Sequence, residues 1–263
     1  MKRLVFAVLA AIMVATLGGV GSGLPQSSDS QTGLYAGRLF HPHHLGRLMF
    51  GTSTNWSGYA SATNLKSAQI NSVSNVAAQW SVPAVTCTPG NQYSAVWIGI
   101  DGYSNNTVEQ IGTSQDCRNG TPTYYVWYEM YPHAMIKTNL KIQAGDSVNA
   151  TVQYSGNNYF QLTLNNKTTG NGYTTKQHLS ARRQSAEWVV EAPSSIYGVL
   201  PLSNFGTATI TGASATMNGH IGSISDSSWQ NDKIIMQSGT TVKATPTALT
   251  NGGSQFSDTW NHL

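Results

Sequence analysis

Short runs in which apolar and β-branched residues recur at every second position lie at 76–82, 95–100, 124–131, 147–154, 159–164, 187–190 and 208–210. A two-residue side-chain period is the mark of a strand with one buried face. Turn-formers separate these runs. Ser155-Gly156-Asn157-Asn158 predicts a hairpin connection, because glycine and asparagine tolerate positive φ, and the stretch from Asn165 to Gly170 predicts another. Asn55-Trp56-Ser57-Gly58-Tyr59 reads as the first strand of the domain or as simple packing. No convincing helical period occurs. Many short strands at this spacing predict an all-β antiparallel two-sheet β-sandwich or jelly roll, whose curved sheet offers a concave face for a groove.

The N-terminal part has a different pattern. Residues 1–23 join a basic start, Met1-Lys2-Arg3, to an apolar run from Leu4 to Leu17, as in a secretory signal peptide. That run is too short to favour a membrane span. Residues 24–51 carry Arg38, Arg47, His41, His43 and His44 without a clear period. They read either as a disordered leader or as a removable activation segment whose histidines charge as pH falls. Residues 52–263 are then one domain. The expected product is exported, extracellular, monomeric and not membrane-bound.

Charge changes the picture once it is divided along the chain. Four of the fourteen basic residues and one of the eleven acids precede Gly51, so the formal charge of +3 belongs to the leader and ten of each remain. A neutral, charge-poor domain argues against nucleic-acid binding, which needs a basic face. It also tolerates acid, because few native carboxylate interactions are lost on protonation. In an exported chain the two cysteines, Cys87 and Cys117, predict a disulfide. It would close the loop holding Trp97, Asp101 and Gln110. No closely spaced cysteine pair and no His-Glu-x-x-His pattern suggests a metal.

Candidate chemistry gathers in residues 94–132 and 186–193. All four glutamates of the domain, Glu109, Glu129, Glu187 and Glu191, fall there, each segment also carrying tryptophan. On a strand Glu187 and Glu191 share one face while Trp188 and Val190 take the other. A carboxylate beside tryptophan in a groove is partly desolvated and suited to proton transfer; the bland alternative for these two acids is an ion pair with Arg182 or Arg183 at a sheet edge. Gln110 alone reads as a hydrogen-bonding bystander, Asp101 as a turn residue, and Trp97, Trp127 and Trp188 as core. No Gly-x-Ser-x-Gly elbow or phosphate-binding glycine loop is present. Carboxylate chemistry remains.

Taken in order, Asn55-Trp56-Ser57-Gly58, Trp80-Ser81-Val82-Pro83, Ala95 to Gly102 with Gln110-Ile111-Gly112, Trp127 to Pro132, and Ala186 to Glu191 resemble the glutamic peptidases, or eqolisins. The resemblance covers nearly all of residues 52–229. It implies a concanavalin A-like sandwich of two large antiparallel sheets, no cofactor or metal, and polypeptide substrates. It places the family's catalytic glutamine on Gln110 and its catalytic glutamate on Glu191. Trp97, Asp101, Glu129 and Trp56, the last from the first motif, are expected to line or support the site, and Glu187 falls on a flanking position. Such a glutamate would take a proton from water as it attacks the scissile carbonyl and pass it to the leaving nitrogen, while the glutamine amide donates to the oxyanion. An unperturbed glutamate titrates near about pH 4.3, so an acidic optimum is expected. Two other readings stay open: a jelly-roll glycoside hydrolase using Glu129 and Glu191 as its carboxylate pair, and a non-catalytic carbohydrate-binding module.

Overall fold

A computed structural model describes residues 51–263; the expected signal peptide and all of the expected leader except Gly51 lie outside the described residues. The first strands are β1 (Thr52–Ser53), β2 (Trp56–Ala62), β3 (Val73–Ser81), β4 (Ala95–Ile100), β5 (Val108–Arg118) and β6 (Thr121–Tyr131). There follow β7 (Ile136–Lys137), β8 (Ser147–Tyr154), β9 (Tyr159–Asn166), β10 (Gly172–His178), β11 (Ser185–Glu191) and β12 (Ser194–Ser195). The last are β13 (Gly198–Val199), β14 (Thr207–Met217), β15 (His220–Ser223), β16 (Gln230–Ser238), β17 (Thr241–Pro246) and β18 (Phe256–Trp260). A single 3-10 turn, Asn251–Gly253, interrupts them among the described residues.

Two antiparallel layers result, in the orders β10-β9-β8-β3-β14-β18-β17-β16 and β16-β2-β11-β4-β5-β6-β7. The sandwich differs from two separate sheets in one respect. β16 serves both, pairing with β2 through Ile234 and with β17 from Met236 onward. β1 lies parallel to it, Thr52 opposite Ile235. The hairpins at 155–158 and 165–170 form as expected, with Asn157 and Asn158 at φ 51° and 59°.

Between the layers lies the main core. Val76, Ala78 and Trp80 of β3, Val148, Ala150 and Val152 of β8, and Phe160, Leu162 and Leu164 of β9 face Val96, Ile98 and Ile100 of β4 and Trp188 and Val190 of β11. Alternation along β4 and β11 therefore sends Trp97, Gly99, Glu187, Val189 and Glu191 to the outer face of their sheet. A smaller apolar cluster of Trp56, Ala60, Ala95, Trp97, Trp127, Val189 and Ile234 lies there. Buried indoles need a partner, and in the core the Trp188 Nε1 donates to Ala77 O at 3.0 Å.

Cys87 and Cys117 are joined across a sequence separation of 30. The bond ties the end of β5 to the chain entering β4, where Gln92 and Cys117 exchange backbone hydrogen bonds of 3.0 and 2.8 Å. Closing a loop of that length is worth about 3 to 4 kcal/mol by chain-entropy estimates. Replacing both cysteines by serine is expected to lower the denaturant midpoint by a matching amount, and an unchanged midpoint would show the bond to be dispensable.

Candidate active site

The register of the outer sheet assembles the site. One cross-strand row runs Glu187, Gly99, Gln110, Glu129 from β11 through β4 and β5 to β6. The next row on that face is Val189, Trp97, Gly112, Trp127, and the one beyond it Glu191, Ala95, Ser114, Tyr125. Gln110 and Glu191 thus stand two strands apart on one face, with Trp97 between them. Each is buried.

Glu191 is held from two sides. Trp97 Nε1 donates to its Oε2 at 2.7 Å and Asn55 Nδ2 to its Oε1 at 3.2 Å. Both contacts are N–H donors, which suits an ionised, acceptor-only carboxylate. Asn55 sits one residue before β2, its place fixed by Ser53, whose hydroxyl bonds its side chain and accepts from its backbone N–H. Gln110 Nε2 donates to Glu129 Oε2 at 2.8 Å, while Gln110 Oε1 has no partner. Because a carboxylate only accepts, Glu129 sets which way the amide faces. Trp56 meets Trp97 edge to face, centroids 5.0 Å apart, and so packs the indole that holds Glu191.

Trp97 spans the two groups, and glycine makes room for it. A Cβ on Gly112, directly opposite Trp97, would stand 2.4 Å from Val96 O and 2.5 Å from Trp97 Cβ. No methyl fits there. Gly112→Ala is expected to push β4 from β5 at that point, costing about 1 to 3 kcal/mol as other overpacked sites do, and to depress turnover more than the stability change accounts for. Melting and kinetics of this one variant check both; full activity would mean that Trp97 does not set the geometry.

Asp101 lies elsewhere. At φ 71° just past β4, its carboxylate accepts from the Arg183 and Gln184 backbone N–H groups at 2.6 and 2.7 Å and from Asn105 Nδ2 at 2.6 Å. It fastens the start of β11 to the end of β4 without touching Gln110 or Glu191. Burial raises its pKa despite those bonds. The ion pair considered for Glu187 is absent: β11 is a central strand, and the Arg183 guanidinium bonds Val73 O and Asn71 Oδ1 instead. Glu109 also departs from the expected grouping. It alternates with Gln110 and points to the inter-sheet side, wholly buried, its pKa raised well above the ordinary value by burial first and by Asp101 and Glu187 next.

A close Glu129–Glu191 pair is equally absent, since the two lie three strands apart and two rows out of step, with Glu129 taken up by Gln110. Asn55 had no individual signal in the sequence beyond its place before Trp56. Among the described residues no group of three or more His, Cys, Asp or Glu could hold a metal ion, and no helix is long and apolar enough to cross a membrane.

The chain is similar to known proteins in both sequence and structure. The chain is 32% identical over 132 residues to aspergillopepsin-2 of Aspergillus niger, covering 48% of this chain and 47% of that protein. It is 29% identical over 143 residues to scytalidopepsin B of Scytalidium lignicola, covering 49% and 54%. The alignments thus span about half the length of these curated relatives. In structure it is similar to scytalido-glutamic peptidase with a peptide-based transition-state analogue, at a TM-score of 0.65 and 23% identity, over 79% of this chain and 98% of that one; this establishes the shared sandwich fold. The sequence profile described as the peptidase A4 family matches residues 54–258, and the chain belongs to that family.

Proposed function

We infer that this protein is an exported acid endopeptidase of the glutamic type, acting on polypeptides with Glu191 and Gln110 as its catalytic dyad. The observation that carries the reading is the placement of an acceptor-only carboxylate, held by Trp97 and Asn55, on the same sheet face as an amide oriented by Glu129. Glu191 takes a proton from water as the water attacks the scissile carbonyl, then returns it to the leaving nitrogen. Gln110 cannot act as a base. Its second amide hydrogen donates to the oxyanion, and its Oε1 is free to accept from the attacking water. Trp97, Asn55 and Glu129 position these two groups, and Asp101 supports the strands that carry them. Family membership and the peptide-based analogue bound to a structural relative support polypeptide substrates.

Hydrolysis of an unfolded protein from strongly acidic to neutral pH, with pepstatin present, tests this directly. Wild-type protein freed of its leader is expected to cleave in acid, resist pepstatin and lose cleavage on Glu191→Gln. Proteolysis that survives that substitution would sink the assignment of Glu191.

A further inference from the structure

The cross-strand row that carries Gln110 and Glu129 holds two further acids, Glu187 and Asp232. Asp232 pairs with Ala60, Ala60 with Glu187, Glu187 with Gly99 and Gly99 with Gln110. Glu187 is therefore flanked by alanine and glycine, and the space over Gly99 is shared by Trp97 and Gln110: a Cβ there would stand 3.0 Å from Trp97 Cζ3 and 3.2 Å from Gln110 Cβ. Glu187 is wholly buried, and neither of its carboxyl oxygens makes a hydrogen bond of good geometry, although the Ser185 hydroxyl and the Tyr103 backbone lie close enough to favour its charged form.

Its titratable surroundings are mostly acidic. Asp101 and Tyr103 come from the β4–β5 connection and Glu109 from β5. Asp232 of β16 accepts from the Tyr103 hydroxyl at 3.0 Å. Glu191 lies four residues along the same strand. The nearby cation, Arg183, spends its guanidinium on Val73 O and Asn71 Oδ1. Nothing here neutralises a Glu187 carboxylate. Burial above all, with Asp101 adding and the Ser185 hydroxyl opposing, holds its pKa well above the ordinary value.

We propose that Glu187 is a positioning residue of the peptidase reaction, a neutral acid that keeps a second negative charge out of the site floor and slows the reaction when it ionises. This rests on the assignment of Gln110 and Glu191. A Glu187 carboxylate would lie about two strand spacings, roughly 10 Å, from Gln110. At the effective dielectric of a protein it would oppose the ionised Glu191 and the oxyanion at Gln110 by a factor on the order of ten in rate.

The test is the pH profile of kcat/KM on a peptide for wild type, Glu187→Gln and Glu187→Asp, with folding confirmed by circular dichroism at each pH. Relative to its own maximum, Glu187→Gln is expected to retain on the order of tenfold more activity than wild type on the alkaline limb, while Glu187→Asp restores a limb. A Glu187→Gln limb that coincides with the wild-type limb, on folded protein, overturns the proposal. Should Glu187→Gln fail to fold, Glu187→Met, neutral and close in volume, is read the same way. Glu191→Gln is run in parallel: if it stays active the dyad assignment fails, whereas an inactive Glu191→Gln beside an unmoved Glu187→Gln limb rejects only the role of Glu187.

Discussion

Gln110→Ala is expected to lower kcat by about a hundredfold to a thousandfold, as loss of a single oxyanion donor does elsewhere, while the melting temperature falls by only several degrees. The two halves of that expectation have different causes. Gln110 contributes one bond to the resting protein, the 2.8 Å contact to Glu129, and its Oε1 is already without a partner. Its removal leaves Glu129 with one donor fewer, a cost of about 1 to 3 kcal/mol at most. In the transition state the amide is asked to do more, because charge develops on the carbonyl oxygen where water is scarce. Only an interaction that strengthens on the way to the transition state raises kcat. Steady-state kinetics on an acid-denatured substrate, read beside a thermal melt, separates the two. A variant whose kcat is near that of wild type would remove Gln110 from the mechanism, and a variant that unfolds would make it a structural residue.

The sequence made some of this legible and left the rest hidden for physical reasons. β4 and β8 end where their alternation ends, at Ala95–Ile100 and Ser147–Tyr154, because each has one apolar face toward the core. β5 gave no comparable signal. Its outer positions are Gln110, Gly112, Ser114 and Asp116, and its inner ones include Glu109, Thr113 and Gln115, so neither face reads as apolar. The strand richest in chemistry is for that reason the one least marked as a strand. Edge strand β10 shows no apolar alternation, because Tyr173 is the one large aromatic on its half-buried face and the rest of that face is Thr175 and Gln177. The shared use of β16 is a matter of long-range pairing that no local pattern records. Clustering of the glutamates did point to the site, but their division did not follow: a one-residue step sends Glu109 inward and Gln110 outward. Asn55 could be recognised as a partner of Glu191 only once β2 lay beside β11.

Raising the pH from acidic to neutral is expected to destabilise the domain by several kcal/mol, and Asp258→Asn to remove a large part of that loss. Eight of the ten acids in the described residues, Asp101, Glu109, Asp116, Glu129, Asp146, Glu187, Glu191 and Asp258, are buried. Ten basic residues share the domain, and among them Lys66, Lys137, Lys141, Lys167, Lys176, Arg182 and Lys233 are exposed. Four of the buried acids, Asp101, Glu109, Glu187 and Asp258, have raised pKa values, burial being the largest cause in each. The folded state therefore binds these protons more tightly than the unfolded chain. Their contribution is fully present below the ordinary carboxylate range and is lost as pH rises through the folded values. Asp258, in the core on β18, is raised from 3.8 to about 7, with the Ser57 hydroxyl, the Thr259 backbone and Lys233 opposing. At about 1.4 kcal/mol per unit, full ionisation of that one group costs roughly 4 kcal/mol, or on the order of 10 °C in melting temperature for a domain of this size. Asparagine keeps the shape and stays neutral. Wild type and Asp258→Asn should thus melt closely together below about pH 4 and diverge progressively as pH rises from there to about 7, the variant being the more stable. Parallel curves across that range would show that Asp258 is not the group responsible, and a wild-type curve that rises toward neutral pH would overturn the account for all four acids together.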